Sequence, residues 1–279
     1  MEQFYAGVSS FQAANIVYAA GALPVFAVEN CAYSGLNEIA VQDIDPSLPH
    51  GVLMNRIFRE GELPRISQTL EALRRHLPER IYFADPAVFS LCDDTLRSRL
   101  VYRPETLMTN QEDIRFWKNT GIQGVTVSPL LTAEELYAAA EAVPGTEFVI
   151  HGHLLMSVSA RKLLTSWAAR YDKELPEGRP LFLREETRSD RYPVKETAAG
   201  TMIFTDYVLE SFDYIRSLAS HGASAFYLDG SFLDLQDLTD ALCLYRALLT
   251  GSGTEEQIKA YRSSHPECRE GYYGQETVR

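Results

Sequence analysis

The chain alternates short apolar runs with stretches of helical spacing. Eight of the runs are rich in Val, Ile, Phe and Tyr, which is typical of strands buried on both faces. These predicted strands cover residues 3–6, 24–28, 51–55, 80–84, 100–102, 123–127, 146–150 and 224–228. The segments of helical spacing cover residues 11–20, 62–76, 111–119, 132–142, 206–220 and 235–249. Strands that alternate with helices in this number predict a (β/α)8 TIM-like barrel, with an open doubly wound sheet as the alternative.

One interval breaks the alternation. Residues 150–206 are too many for a single crossover, and they contain a helical stretch, a polar stretch and two further short apolar runs. We therefore expect a single domain over residues 1–279, with an insertion at about 155–205 between strand 7 and the following helix. The insertion should carry a small β element at one mouth of the barrel. The polar tail at about 251–279 is expected to pack loosely.

Composition narrows the class of protein. The length of 279 residues suits one barrel. With 38 acidic and 26 basic residues, the net charge is −12. This charge excludes a generally basic nucleic-acid-coating protein, because phosphate binding requires Lys and Arg, although a local basic patch is compatible with it. The four cysteines form no C-x-x-C pair, which argues against a disulfide framework or a cysteine zinc site.

The amino-terminal segment over residues 3–28 carries no charge. It is interrupted by polar residues and by Pro24, and it lacks the basic start of a signal peptide. We therefore expect a soluble, cytoplasmic protein without a membrane partner.

Polar residues follow most of the predicted strands. Active sites of (β/α)8 barrels lie at the carboxyl ends of the strands, so these residues should gather at one mouth. They are Glu29, Asn55, Asp85, His151 and Asp229, joined by Asn30, Arg56, Glu105 and His153. The candidate catalytic residues are Glu29, Asp85, His151, His153 and Asp229, with Asn55 as a candidate for substrate binding. The alternative is that the Asp and Asn side chains cap the helices that follow.

Two histidines at the end of the seventh predicted strand suggest a metal site. Alternate residues of an extended segment point to one side, so His151 and His153 could both reach one divalent ion. Glu29, Asp85 or Asp229 would complete the ligand shell. The alternative is that both histidines are structural.

Arginines around the same mouth are candidates for binding an anionic substrate. A run of mixed charge extends from Arg184 to Arg191 and is compatible either with solvated ion pairs or with an anion-binding guanidinium. The candidate substrate-binding arginines are Arg191, Arg56, Arg161 and Arg184, with Arg191 the first choice and Arg56 the second.

Residues 147–154, which read Glu-Phe-Val-Ile-His-Gly-His-Leu, resemble the core of the signature of the peptidase U32 (collagenase-like protease) family. Further segments resemble the family in the same order along the chain. They are 85–88, 105–110 with Phe116, Trp117 and Gly121, 190–194 with Gly200, Thr201 and Ile203, and 228–230. Asn110 ends one of these segments and is a further candidate substrate-binding residue.

The resemblance implies a function in RNA modification. Members of the family are implicated in prephenate-dependent RNA hydroxylation, including that of the tRNA wobble uridine. Leu155 and Lys162 stand where the signature has cysteines, and Ala160 where it has a glycine, so no iron–sulfur cluster is expected. The chain resembles the shorter, cysteine-poor branch found beside a larger paralogue. We expect a hydroxylation factor that binds a prephenate-like anion, with tRNA reached through a local patch or through the paralogue.

Two other functions fit the same residues. The first is a metal-dependent, collagenase-like peptidase, a hydrolase that would use His151, His153 and an acidic residue. The second is a non-catalytic small-molecule-binding or scaffold protein, which the acidic net charge favours slightly over direct tRNA binding.

Overall fold

Eight parallel strands close into a barrel in the computed structural model, which describes residues 2–176, 180–187 and 189–275. The strands in this part of the chain are β1 (Gln3–Val8), β2 (Ala22–Val28), β3 (Glu38–Ile39), β4 (Gly51–Met54), β5 (Arg80–Phe83), β6 (Leu100–Tyr102), β7 (Gly124–Val127), β8 (Thr146–Gly152), β9 (Leu155–Ser159), β10 (Leu181–Arg184), β11 (Arg191–Thr197), β12 (Gly200–Phe204), β13 (Val208–Glu210), β14 (Ala225–Leu228) and β15 (Cys268–Arg269). The barrel order is β14-β1-β2-β4-β5-β6-β7-β8, and β8 pairs in parallel with β14 to close it. The predicted (β/α)8 TIM-like fold is confirmed.

Helices cover the outside of the barrel. Those in the described ranges are α1 (Phe11–Ala19), α2 (Leu63–Arg75), α3 (Pro86–Leu91), α4 (Asp94–Arg97), α5 (Gln111–Asn119), α6 (Ala133–Ala142), α7 (Leu163–Tyr171), α8 (Ile215–Ser220), α9 (Leu235–Leu249) and α10 (Glu255–Ser264). Several begin at local capping signals: the side chains of Ser10 and Thr132 each accept a hydrogen bond from the backbone N–H three residues on. Within the described ranges, none of these helices combines the length and the apolar character needed to cross a lipid bilayer.

The barrel interior is filled by apolar and charged layers. Tyr5, Leu53, Val101 and Tyr227 belong to an inner apolar cluster, and a larger cluster lies between the strands and the helices. Towards the amino ends of the strands, the fully buried Glu147 accepts hydrogen bonds from three barrel residues. These are Arg80 (2.7 Å), Tyr82 (2.8 Å) and Thr126 (2.9 Å). Several partners thus compensate the cost of burying this carboxylate.

The insertion forms a second sheet over the carboxyl ends of the strands. Its four strands have the order β10-β11-β12-β9, and α7 packs against β12. Leu155 at the start of β9 is paired with Phe204 at the end of β12, so the insertion leaves and rejoins the barrel at neighbouring points. Lys195 of β11 donates hydrogen bonds to the Gly35 carbonyl and to Glu38 (3.2 Å), which ties the insertion to β3 and to the loop that precedes it.

Two predictions about the last quarter of the chain are wrong. Residues 206–220 are not one helix: β13 occupies the first half and pairs antiparallel with the end of β8, and α8 begins only at Ile215. The tail, as far as residue 275, is not loosely packed either. Thr254 and Gln257 form a capping box that starts α10, and Ile258 and Tyr261 of this helix are buried against the barrel.

Candidate functional site

Four side chains from three strand ends meet inside the carboxyl-terminal mouth of the barrel. Asn55 follows β4, Arg103 and Glu105 follow β6, and Asp229 follows β14. Ser34, from the loop that covers the mouth, joins them. These five residues are called the mouth network below. They lie together because the carboxyl ends of parallel barrel strands share one rim.

Arg103 is the centre of the mouth network. Its side chain is only 2% exposed, and its guanidinium lies 3.9 Å from the centre of the Tyr227 ring. Arg103 Nη2 is 3.3 Å from Asp229 Oδ2, and Arg103 Nε is 3.4 Å from Glu105 Oε1. Nε and Nη1 have no hydrogen-bond partner among the described residues, although both atoms are buried. Arg103 therefore joins the two carboxylates mainly by charge.

Glu105 occupies a strained position at the edge of this network. Its φ is +55°, in the left-handed region that disfavours side chains other than glycine and asparagine. Asn55 Nδ2 and Ser34 Oγ donate hydrogen bonds to Glu105 Oε1, the latter at 3.3 Å. Burial raises the pKa of Glu105, and Asp229 raises it further, against the opposing effect of Arg103. A carboxyl group with a raised pKa is suited to general acid–base chemistry.

A cleft opens above Glu105, and it is called the mouth cleft below. It has a volume of about 390 Å³. Its lining is formed by Tyr33, Asn55, Ile57, Ala84, Pro86, Tyr102 and the segments 104–107 and 155–158. One side is therefore built by the strand ends of the barrel, and the other by β9 of the insertion. A mostly apolar cleft with a few polar groups at its floor is typical of a small-molecule site.

Of the five residues expected to face the mouth together, the structure brings Asn55 and Asp229 into the network. Glu29 instead is exposed and shares a groove outside the barrel with Arg65 and Gln68 of α2. Asp85 accepts hydrogen bonds from the backbone N–H of Ala87 (2.8 Å) and of Phe58 (2.7 Å). Its carboxylate caps α3 and holds the loop after β4. This is the alternative stated above, in which a strand-end Asp caps the helix that follows.

His151 points away from the mouth. Its fully buried ring lies among Phe212, Tyr245 and Tyr261, and its nitrogens face the two tyrosine hydroxyls at 3.4 Å. Burial lowers the pKa of His151 to about 3. The register between β8 and β14 shifts before Leu228, which pairs with His151 rather than Ile150. Glu147 points into the barrel, and regular alternation along β8 would point His151 inward as well. The bulge interrupts this alternation, so the expected direction of His151 is wrong.

His153 does not join His151. Its Nδ1 faces the carbonyl oxygen of Thr205 at 2.7 Å, and its ring packs edge-on against Phe232. Gly152 between the two histidines has a φ of +117°, which is incompatible with a regular extended strand. The described residues contain no group of three or more His, Cys, Asp or Glu that could hold a metal ion. The shared metal site expected at His151 and His153 is thus not formed.

The candidate arginines have different surroundings. Arg56 is nine-tenths buried, pairs with Glu62 and donates to the Asn30 carbonyl (2.8 Å), so its guanidinium is engaged within the barrel rim. Arg161 and Arg191 are exposed on the insertion, and the Arg191 guanidinium lies 4.5 Å from the centre of the Phe182 ring. Arg184 is exposed directly opposite Arg191 across the β10–β11 ladder.

Asn110 lies outside the mouth cleft. Its Oδ1 accepts a hydrogen bond from the backbone N–H of Asp113 at 3.0 Å, and its Nδ2 donates to the Asp113 carboxylate at 2.8 Å. These contacts make it the N-cap of α5.

Arg103 and Lys195 were not predicted. A charged residue directly after the apolar run 100–102 was the available signal for Arg103. Lys195 has no such signal, since only the folded insertion brings it to Glu38.

Similarities to known proteins extend over most of the chain. The family model described as peptidase family U32 matches residues 50–278. The chain is similar to the tRNA hydroxylation protein P2 of Bacillus subtilis (strain 168), with 23% identity over 246 residues, which cover 81% of this chain and 80% of that protein. Among solved structures, the U32 peptidase Mk0906 aligns with a TM-score of 0.49 and 18% identity, over 83% of this chain and 93% of that one.

Proposed function

Because the chain belongs to peptidase family U32, we propose that it takes part in the hydroxylation of a tRNA uridine, at the wobble position, together with a larger paralogue. The similarity to the Bacillus subtilis protein extends over 81% of the chain, so it is not confined to one motif. The proposal places the substrate base at the carboxyl-terminal mouth of the barrel.

The observation that carries this proposal is the mouth cleft with Glu105 at its floor. The cleft volume of about 390 Å³ is in the range of small-molecule sites and is sufficient for a single nucleobase. A base presented by an RNA loop would fit, because RNA recognition commonly takes unstacked bases out of loops. Glu105 would then be the titratable group nearest to the base.

We further propose that prephenate binds at Arg184 and Arg191. The two residues are directly opposite each other on β10 and β11, and both are exposed. Two neighbouring guanidinium groups suit a substrate with two carboxylates, because each can bind one carboxylate through paired N–H donors. Calorimetric titration with prephenate tests this: Arg191→Ala should weaken binding about tenfold. Arg56→Ala should leave binding unchanged, because Arg56 is engaged by Glu62.

Nucleoside mass spectrometry of tRNA tests the proposed function. A strain that lacks the gene should lose the 5-hydroxyuridine signal, and the wild-type gene should restore it. Glu105→Ala should fail to restore it. Glu112→Ala is the matched control, since Glu112 is an exposed carboxylate on α5 that pairs with Arg115, and it should restore the signal fully. An unchanged signal in the deletion strain would contradict the proposal.

A further inference from the structure

The loop between β2 and β3 closes the mouth of the barrel. Residues 30–37, called the lid loop below, contain no helix and no strand. Cys31, Ala32 and Ser34 in this loop are at most 1% exposed, and Ala32 belongs to the inner apolar cluster of the barrel. The lid loop therefore enters the mouth, where it packs on the barrel interior.

Hydrogen bonds to the strand ends hold the lid loop in this position. Ser34 Oγ donates to Glu105 Oε1 at 3.3 Å, and the Gly35 N–H donates to Ser231 Oγ at 2.9 Å. The N–H of Ser231 in turn donates to Asp229 Oδ1 at 2.9 Å. The lid loop is thus bonded, directly or through one residue, to both carboxylates of the mouth network.

Lys195 of the insertion holds the lid loop from the other side. Its Nζ donates to the Gly35 carbonyl and to Glu38 Oε1, the latter at 3.2 Å. The other oxygen of Glu38 accepts the N–H of Asn30 at 2.7 Å, so Lys195 is connected to the first residue of the loop as well as to its middle. The Lys195 side chain is only 6% exposed, and hydrogen bonds from a charged donor are strong in such surroundings.

Arg103 and Asp229 are inaccessible while the lid loop occupies the mouth. Their side chains are 2% and 5% exposed, whereas the mouth cleft is lined by Asn55 and Glu105 together with Tyr33 of the lid loop. Two buried donors of Arg103, Nε and Nη1, have no hydrogen-bond partner among the described residues. Buried donors in folded proteins are nearly always paired, so the closed mouth uses only part of what Arg103 offers.

Little apolar surface holds the lid loop closed. Its fully buried apolar side chains are those of Cys31 and Ala32, which are both small. Withdrawal of the loop therefore exposes much less apolar area than the unfolding of a barrel strand. Segments with few buried apolar contacts open at a low free energy, and the polar contacts with Lys195 and Ser231 then determine how often this one opens.

We infer that the lid loop withdraws to admit a ligand to Arg103 and Asp229, and that Lys195 holds it closed. Lys195 is a positioning residue in this arrangement, because it acts through the lid loop. The inference rests on the proposed function for the identity of the site, and it adds a step that controls entry to that site.

Alkylation by N-ethylmaleimide tests the opening, because Cys31 lies in the lid loop and is fully buried. Mass spectrometry follows each cysteine of the full chain separately. Lys195→Met should accelerate the alkylation of Cys31 about tenfold or more, since the loop loses hydrogen bonds from a charged group. Cys92, which is buried at the end of α3, is the internal control and should keep its rate. Lys259→Met, at an exposed pair with Glu255, should leave both rates unchanged.

Modification by phenylglyoxal tests what the lid loop covers. Arg103 should react faster in Lys195→Met than in wild type, by a factor similar to that of Cys31. Arg80, which is buried beside Glu147 at the opposite end of the barrel, should react at the same rate in both chains.

A second variant tests the loop without removing a charge. Ser231→Ala deletes the acceptor of the Gly35 N–H and should accelerate both Cys31 and Arg103 several-fold. Unchanged rates of Cys31 in both variants, equal acceleration of Cys31 and Cys92 in both variants, or a faster Cys31 with an unchanged Arg103 would each overturn the inference.

These rates are measured without tRNA, so the inference and the proposed function fail separately. The expected rates with an unchanged 5-hydroxyuridine signal in the deletion strain would leave the lid loop standing and remove the function. Unchanged rates with loss of that signal would do the reverse.

Discussion

Individual buried charges determine the chemistry of the mouth. Arg103 lies between Asp229 and Glu105 with its side chain 2% exposed, and Glu105 holds a left-handed backbone conformation in the same network. Removing one member of such a group leaves an uncompensated charge in a poorly solvated place, which costs more than the intact pair contributes. Stability at this mouth therefore depends on the same residues on which the proposed function rests.

Arg103→Met should lower the free energy of unfolding by about 3–5 kcal/mol near neutral pH, because Glu105 and Asp229 lose their shared cation. Without Arg103, the folded-state pKa of Glu105 rises further above its unfolded value. A group with a raised folded pKa gives stability at low pH that is lost as pH rises, so the deficit should shrink in acid. Urea unfolding at two pH values measures both effects.

Arg115→Met is the control, because Arg115 belongs to an exposed ion pair with Glu112. It should lower the free energy of unfolding by less than about 1 kcal/mol, and an equal cost in both variants would contradict the prediction.

His151 should make the protein sensitive to mild acid. Its pKa is lowered from 6.5 to about 3 by burial, so the unfolded chain takes up a proton that the folded chain refuses. Stability contributed by this group is complete above pH 6.5 and is lost progressively as pH falls towards about 3. The wild-type free energy of unfolding should decrease by about 2 kcal/mol between about pH 7 and pH 5 because of this one group. His151→Phe keeps a ring among the aromatic neighbours and should abolish this part of the decrease. Urea unfolding curves that depend on pH as strongly as in wild type would contradict this.

At the scale of the elements, the end of β8 sets the directions of its polar side chains. A one-residue bulge turns His151 outward, and Gly152 then adopts a φ of +117° that brings the chain against Asp229. A Cβ at Gly152 would lie 2.3 Å from the Asp229 carbonyl oxygen. The glycine thus allows β8 to pass close to the strand end that supplies the mouth network.

Gly152→Ala should lower the free energy of unfolding by more than about 3 kcal/mol, since backbone strain and a clash with backbone atoms add together. Gly121→Ala provides the matched control, because Gly121 also has a positive φ but no atom within 4 Å of the new Cβ. This control should cost about 1–2 kcal/mol, the strain alone. Thermal and urea unfolding measure both variants, and an equal loss would show that the close approach to Asp229 is unimportant.

At the scale of the whole molecule, the barrel and the insertion are joined at one edge of the mouth. The barrel closes through β8 and β14 without any strand of the insertion, whose four strands form a sheet of their own. The insertion supplies Met156 and Val158 to the mouth cleft and Lys195 to the loop above it. The site therefore needs both parts, whereas the closure of the barrel needs only one.

Replacement of residues 156–203 by a short Gly-Ser linker should leave a barrel that unfolds cooperatively, since Leu155 and Phe204 are already cross-strand neighbours. Differential scanning calorimetry should show a single transition at lower temperature than in wild type. A gene for the shortened chain should fail to restore the 5-hydroxyuridine signal in the deletion strain, because Met156 and Val158 no longer line the mouth cleft. A shortened chain without a cooperative transition would show that the barrel depends on the insertion.

The local periodicity of the sequence determined the elements. Eight short apolar runs matched the eight barrel strands, because a strand buried on both faces is mostly apolar wherever it lies. The helices at 111–119 and 235–249 followed from amphipathic spacing, which α5 and α9 reproduce. The placement of polar residues at strand ends likewise indicated where Asn55, Glu105 and Asp229 would lie, since parallel strands share one carboxyl-terminal rim.

The tertiary structure alone decided which of those polar residues share a site. At a strand end, a side chain can enter the barrel, cap the next helix or face outward, and the choice depends on pleat, bulges and loop paths. Asp85 caps a helix, and His151 is turned outward by a bulge that no local pattern announces. Arg103 meets Asp229 across 126 positions of sequence, and such a pairing exists only when the barrel closes. Which charges pair at the mouth depends on the distances between them in the folded structure. The spacing of these residues along the chain gives no information about those distances.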